Sequence, residues 1–222
     1  MLRSEPKPLV TDTARRPWDA RVARWMVRPL VGTWVRPNHL TTIRLACGIA
    51  GAAALARGTH RASLLGALLF VVSNLLDHTD GELARMSGQS SRLGHWYDLA
   101  SDATVTILLF LAIGVGVDDK VAMPLGLPAP LLGALAGVTV ALIFLIRMRL
   151  EEQMGKSATR QPAFGGFESE DVLYLLPLIV LLGGLVPFLL AAALGAPLFA
   201  TWVVIEYRRL VRRRAVAVHL TS

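Results

Sequence analysis

The 222-residue sequence predicts an all-α integral membrane protein: a bundle of six transmembrane helices preceded by an amphipathic helix lying in the interface. Three observations predict it. Hydrophobic residues make up 54% of the chain and the mean hydropathy is +0.52, beyond what a soluble domain carries. Several apolar segments approach the roughly 20 residues that cross a bilayer. The formal charge of +7 gathers at the two ends and in two loops, leaving the apolar segments nearly free of lysine and arginine. The length suits one compact bundle.

Residues 1–16 are polar and proline-punctuated and read as a disordered tail. Residues 17–36 form the interfacial helix. There Trp18, Val22, Trp25 and Met26 recur at helical spacing, with Arg21, Arg24 and Arg28 elsewhere around the wheel. Tryptophans at headgroup depth and arginines on anionic lipid suit such a helix, although the same pattern also fits a helix packed on protein. Pro17 fits its first turn and Pro29 ends or bends it.

Residues 37–207 hold the spans, expected at 40–56, 62–76, 94–117, 131–146 and 172–185, with a sixth ending near 206. The second continues as helix beyond its apolar part to about residue 85. A basic tail, residues 208–222, follows. With both termini on one side, nearly all lysines and arginines fall on that side; only Arg57, Arg61 and Lys120 lie opposite. By the positive-inside rule that side is cytoplasmic, which predicts an inner-membrane, multi-pass protein with both termini inside. The first thirty or so residues have no apolar core, so no cleavable signal peptide is expected. Cys47, a lone cysteine in an apolar helix, excludes an internal disulfide and suggests no redox role. The excess of positive charge points to anionic lipid or a phosphate-bearing substrate. Nothing resembles a base-reading module, so nucleic acid is not an expected partner.

The chemistry is expected in the stretch 77–102, DHTDGELARMSGQSSRLGHWYDLASD, where two apolar segments meet. Asp77 and Asp80 are three apart, Asp98 and Asp102 four apart, spacings that put each pair on one helix face. Asn74, Asp77, Asp80, Gly81, Ala84 and Arg85 share one side of the first helix; Gly94, Asp98 and Asp102 share one side of the second. The serine- and glycine-containing link between them can turn and bring the faces together. One such pair would fit the polar end of a transmembrane helix. Two pairs on matched faces, beside glycine, alanine and arginine, point to a site.

Converging carboxylates cannot all stay ionised without a countercharge. An all-oxygen set favours a hard divalent ion such as Mg2+, Mn2+ or Ca2+. Two such ions between the pairs would suit a phosphoryl transfer. His78 and His95 fall off the acidic faces and read as interfacial, and Glu206 as a helix end.

At these residues the chain resembles the CDP-alcohol phosphotransferases of phospholipid synthesis. Their signature D-x2-D-G-x2-A-R-x8-G-x3-D-x3-D is matched at every fixed position by Asp77, Asp80, Gly81, Ala84, Arg85, Gly94, Asp98 and Asp102. With each residue type at roughly 5–10%, a chance match has odds on the order of one in a billion per starting position. Pro37, Asn38, Thr41 and Arg44 resemble the P-N-x-x-T-x-x-R that opens the family's first span.

The resemblance implies a reaction. A CDP-linked donor, commonly CDP-diacylglycerol, binds through its diphosphate to two divalent cations, Mg2+ or Mn2+; an acceptor hydroxyl attacks and CMP leaves. Asp77, Asp80 and Asp98 are implied metal ligands, with Asp102 completing the set and taking the hydroxyl proton. Asn38, Thr41, Asp80, Gly81, Ala84, Arg85 and Gly94 are implied contacts of the CDP group. Gly81, Gly94 and the small Ala84 leave room for a nucleotide, and Arg85 offers a forked, fixed charge to the diphosphate. Asn38 and Thr41 fit equally well as a helix cap where the chain enters the membrane. The family also implies a homodimer.

For the acceptor, Arg147, Arg149, Lys156 and Arg160 could hold a phosphate. Members that use a phosphorylated sugar alcohol tend to carry arginine where this chain has Glu168, Glu170 and Asp171. That departure argues against inositol-phosphate or glycerol-phosphate acceptors. Neutral polyols, amino-alcohols and a lipid hydroxyl stay open, the last through a CDP-choline- or CDP-ethanolamine-type transfer. Acids are also at home at a helix start, which would equally account for these three.

Two other classes share part of the pattern. Intramembrane prenyltransferases hold a Mg2+-diphosphate between aspartate motifs, but motifs far apart in sequence. A divalent-cation transporter would place its acids at mid-membrane, whereas these fall at span ends.

Overall fold

The structure, a computed structural model, describes residues 18–118, 126–154 and 173–219. Among these it is helical: α1 (Trp18–Val27), a 3-10 turn (Arg28–Leu30), α2 (Pro37–Leu55), α3 (His60–Ser87), α4 (Arg92–Val117), α5 (Ala129–Met154), α6 (Leu176–Leu181) and α7 (Leu185–His219). The expected tail 1–16, Lys156, Arg160, Glu168, Glu170 and Asp171 lie outside the described residues.

Local chemistry sets the helix ends. Pro37 opens α2 at a position where its missing N–H is no loss. Thr59 caps α3, its hydroxyl accepting from the Ala62 N–H, and Gly88 closes α3 in the left-handed region at φ 68°. Ser91 then caps α4, its hydroxyl accepting from the Gly94 N–H at 3.0 Å. Only four residues therefore separate two helices that run in opposite directions.

Packing follows from small residues. A side chain at Gly66 on α3 would meet the Gly51 carbonyl of α2 at 2.7 Å, and one at Gly137 on α5 would meet the Ile107 Cα of α4 at 2.8 Å. In lipid, helices associate through such close backbone approach more than through exclusion of apolar surface. Ala52, Leu55, Ala67, Phe70, Ile113, Ala129 and Leu176 form the principal buried cluster, at the end of the bundle away from the four aspartates. A second joins Phe110, Leu132, Ala136 and Ala193, and a third Ile143, Ala200 and Val203. Along α5 and α7 the paired positions rise together, so these two helices run parallel. The C-terminal ends of α3, α5 and α7 and the start of α2 and α4 thus lie at one end. There α1 joins them, with Val27 buried against Leu40 and Leu83.

Among the described residues, four helices are long and apolar enough to cross a membrane: α3, α4, Ala129–Leu150 of α5 and Leu185–Arg209 of α7. The first expected span, α2, is not among them because Asn38, His39, Thr41, Thr42 and Arg44 in its first turns lower its hydropathy. At the fifth, the helix α6 has six residues, and the chain turns at Leu182–Gly184 where Gly183 takes φ 68°. The basic segment after residue 207 continues α7 as helix to His219. In α1, Ala23 and Val27 face protein while Val22 and Trp25 are exposed. Met26, expected on the outer stripe, is half-buried. Large apolar side chains including Leu68, Leu135, Leu194 and Leu198 cover the outside of the bundle, the surface expected against hydrocarbon.

Candidate functional site

The acids sit where α3 ends and α4 begins. At 28 residues, α3 is roughly 42 Å long, against a hydrocarbon core of about 30 Å, so its last turns extend past the apolar layer. Asp77 lies about three turns and Asp80 about two turns before the end of α3, and Asp98 and Asp102 lie on the second and third turns of α4. One oxygen from each of Asp77, Asp98 and Asp102 lies within 4.8 Å of the others. Their side chains are 27%, 39% and 49% exposed, so the group opens outward.

Asp80 is placed differently from the other three. It is buried, and its Oδ2 accepts the Thr41 hydroxyl at 2.7 Å, with the Pro37 carbonyl 3.2 Å from the same hydroxyl. Beside the three open carboxylates lies Arg44 of α2, 1% exposed. Its Nη1 donates to Asp98 Oδ1 at 2.9 Å and pairs with Asp77; its Nη2 donates to Asp102 Oδ1 at 2.7 Å. Three carboxylates outnumber one guanidinium, so the group keeps a net negative charge. An all-oxygen donor set that is open on one side and undercompensated fits a hard divalent cation.

The remaining expected residues surround this group unevenly. Among the described residues, the only side-chain atoms within 4 Å of where a Gly81 Cβ would stand are the Arg85 guanidinium nitrogens at 3.9 Å, leaving that face of α3 bare of any others. Arg85 is largely exposed and bonds Glu82 through Nε at 2.8 Å and Nη2 at 2.7 Å. Gly94 is faced by Asn38, whose Oδ1 would lie 3.1 Å from a Cβ there, so its bare surface admits α2. Ala84, half-buried, lies one turn past Asp80. Arg149 reaches back from α5 to lie over the Trp96 ring, 5.8 Å from its centroid, at the first turns of α4. Arg147 is half-buried two residues earlier. Tyr97 of α4 and Thr42 of α2 share a hydroxyl hydrogen bond of 3.0 Å.

Two residues carry more of this arrangement than the sequence reading gave them. Arg44 entered it only as part of a motif, yet it touches three of the four aspartates. Its signal was an arginine at the start of an apolar run, a placement that demands partners. Glu82, 3% exposed, anchors Arg85 and stands 4.0 Å from Arg24 of α1. Nothing in its spacing marked it.

A helical bundle with an apolar skin and a carboxylate cluster at one end defines a membrane protein with a candidate divalent-cation site. Comparison with known proteins carries this further. The CDP-alcohol phosphatidyltransferase family matches residues 34–207, and the chain belongs to that family. It is 32% identical over 172 residues to a bifunctional IPC transferase and DIPP synthase of Rubrobacter xylanophilus, covering 78% of this chain and 35% of that protein. It is 35% identical over 98 residues to cholinephosphotransferase 1 of Danio rerio, covering 40% of this chain and 25% of that protein. The chain therefore spans about a third or less of the length of these relatives.

Proposed function

We propose that this protein transfers a substituted phosphate group from a CDP-alcohol to an acceptor hydroxyl in membrane phospholipid synthesis, releasing CMP. The observation that carries the reading is the meeting of Asp77, Asp98 and Asp102 oxygens within 4.8 Å, in a chain of this family. Family membership also favours this reading over a prenyltransferase or a cation transporter.

In this reading Asp77, Asp80, Asp98 and Asp102 hold two divalent cations, Mg2+ or Mn2+. When bound, such ions neutralise a diphosphate and make its phosphorus open to attack. Asp102, the most exposed of the three clustered acids, accepts the hydroxyl proton of the acceptor. The new bond joins that oxygen to the phosphorus bearing the alcohol, the phosphorus–oxygen bond to CMP breaks, and CMP leaves with the electron pair. The bare face at Gly81 and Ala84 seats the nucleotide. Arg85, held by Glu82, lies beside that face to meet a phosphate. Asn38, Thr41 and Gly94 border it from α2 and α4. Arg147 and Arg149, with Lys156 and Arg160, draw in the acceptor.

CDP-diacylglycerol is the donor we favour. The likeness to a cholinephosphotransferase supports a second reading, transfer of a phospho-alcohol headgroup to a lipid hydroxyl. The six-span arrangement counts α2 and the segment containing α6 as crossings, with α1 in the interface. The gathering of α1, the cluster and the ends of α5 and α7 at one end supports it, that end facing the cytoplasm of the inner membrane. Two copies form a homodimer.

The test is CMP release by the purified protein from CDP-diacylglycerol or CDP-ethanolamine, over a panel of acceptors, with lipid products read by mass spectrometry. We expect metal-dependent release that Asp102→Asn abolishes. Absence of CMP from every donor and acceptor, with Mg2+ and Mn2+ both supplied, would overturn the reading.

A further inference from the structure

We infer that Arg44 is a positioning residue, a built-in countercharge that keeps the acidic side chains of α3 and α4 gathered when no cation is bound; this rests on the reading of the cluster as a divalent-cation site. Three carboxylates brought this close repel one another, and an arginine in an apolar helix is unfavourable without partners. Each answers the other. Arg44 is almost wholly buried, and its two terminal nitrogens meet one oxygen each on Asp98 and Asp102, with Nη1 also paired to Asp77. Its Nη2 also lies 3.4 Å from the Asp98 carbonyl.

The backbone of α2 is fixed at the same residue, because Ser73 of α3 donates its hydroxyl to the Arg44 carbonyl at 3.0 Å. One turn earlier on the same face, Thr41 holds Asp80. Thus α2 ties down all four aspartates, three through Arg44 and one through Thr41. A guanidinium so engaged has little capacity left for a substrate phosphate. The consequence is thermodynamic. Without Arg44 the carboxylates keep their full mutual repulsion and no guanidinium competes for their oxygens, so an ion bound to the folded state relieves more in the variant than in the wild type.

The experiment compares thermal unfolding of the full chain in detergent, in EDTA and in saturating Mg2+, for the wild type and Arg44→Gln. In EDTA the variant is expected to melt roughly 10 °C lower, because breaking a buried pair from one side is strongly destabilising. Mg2+ should then raise the variant's Tm at least twice as much as the wild type's. An equal rise in both would overturn the role of Arg44 while leaving the cation site standing. No rise in either would overturn the cation reading itself, and the inference with it. Should Arg44→Gln fail to fold, the comparison is made with Arg44→Lys, which keeps the charge but not the planar fork that spans two carboxylates. A larger Mg2+ response than wild type supports the inference there, and an equal response overturns it.

Discussion

Replacing Thr41 by valine isolates one interaction with little change of shape. Thr41 and Asp80 are 2% and 3% exposed, and the hydroxyl-to-carboxylate distance is 2.7 Å. Valine fills the same volume, so no cavity term enters, and what is lost is a buried hydrogen bond to a charged group. Such bonds contribute about 1.5–3 kcal/mol, and leaving the carboxylate short of a donor places the loss at the upper end. For a chain of this size each kcal/mol moves the melting point by about 2–4 °C, giving a fall of roughly 5–10 °C. Thr41→Ser keeps the hydroxyl and loses one methyl, about 0.8 kcal/mol of burial, so its fall should be less than half as large. The assay is thermal unfolding in detergent with EDTA present, so that no ion masks the difference. Should Thr41→Val melt at or above the wild-type temperature, or Thr41→Ser fall as far as Thr41→Val, the hydroxyl is not what holds Asp80.

Gly66→Ala would push a methyl against the Gly51 carbonyl and the Leu55 side chain, and overpacking of this kind destabilises by about 1–3 kcal/mol; a melting curve reads it. Chelation should reduce CMP release by more than about 100-fold and added Mg2+ should restore it, as measured by nucleotide chromatography. Arg149→Ala removes a cation–π contact of about 0.5–1 kcal/mol, so stability should hardly change, while the KM for the acceptor should rise several-fold in steady-state kinetics. Glu82→Gln should raise the KM for the CDP donor more than it lowers kcat, because Arg85 loses its anchor without leaving the helix.

The acidic pairs were legible because helical spacing alone decides which side chains share a face, and Asp98 and Asp102 do stand together facing α3. The bend that brings the two faces together was legible too, in a Ser-Gly-Gln-Ser-Ser link that supplies both a left-handed closing residue and the next cap. Spacing within a helix says nothing about what a third helix contributes. Hence the sequence did not separate Asp80, which Thr41 covers, from the three acids that Arg44 gathers. Glu82 was hidden for a related reason: its burial comes from packing against other helices, with Arg24 of α1 4.0 Å away, and spacing to Arg85 alone did not show it. Apolar length was a poorer guide at α2 and α6. Polar residues in its first turns thin the hydropathy of the first, and the second turns at Gly183 after six helical residues, where a continuous apolar run had suggested a longer rod.

The overhang of α3 has a practical result for any reactants that meet on it. By length, its final two turns reach beyond an apolar layer about 30 Å thick, toward the boundary between oil and water. A molecule anchored by fatty chains can bring its phosphate there while its tails stay dissolved in the leaflet, and a water-borne partner can arrive from the other phase. Neither has to be pulled out of its own solvent.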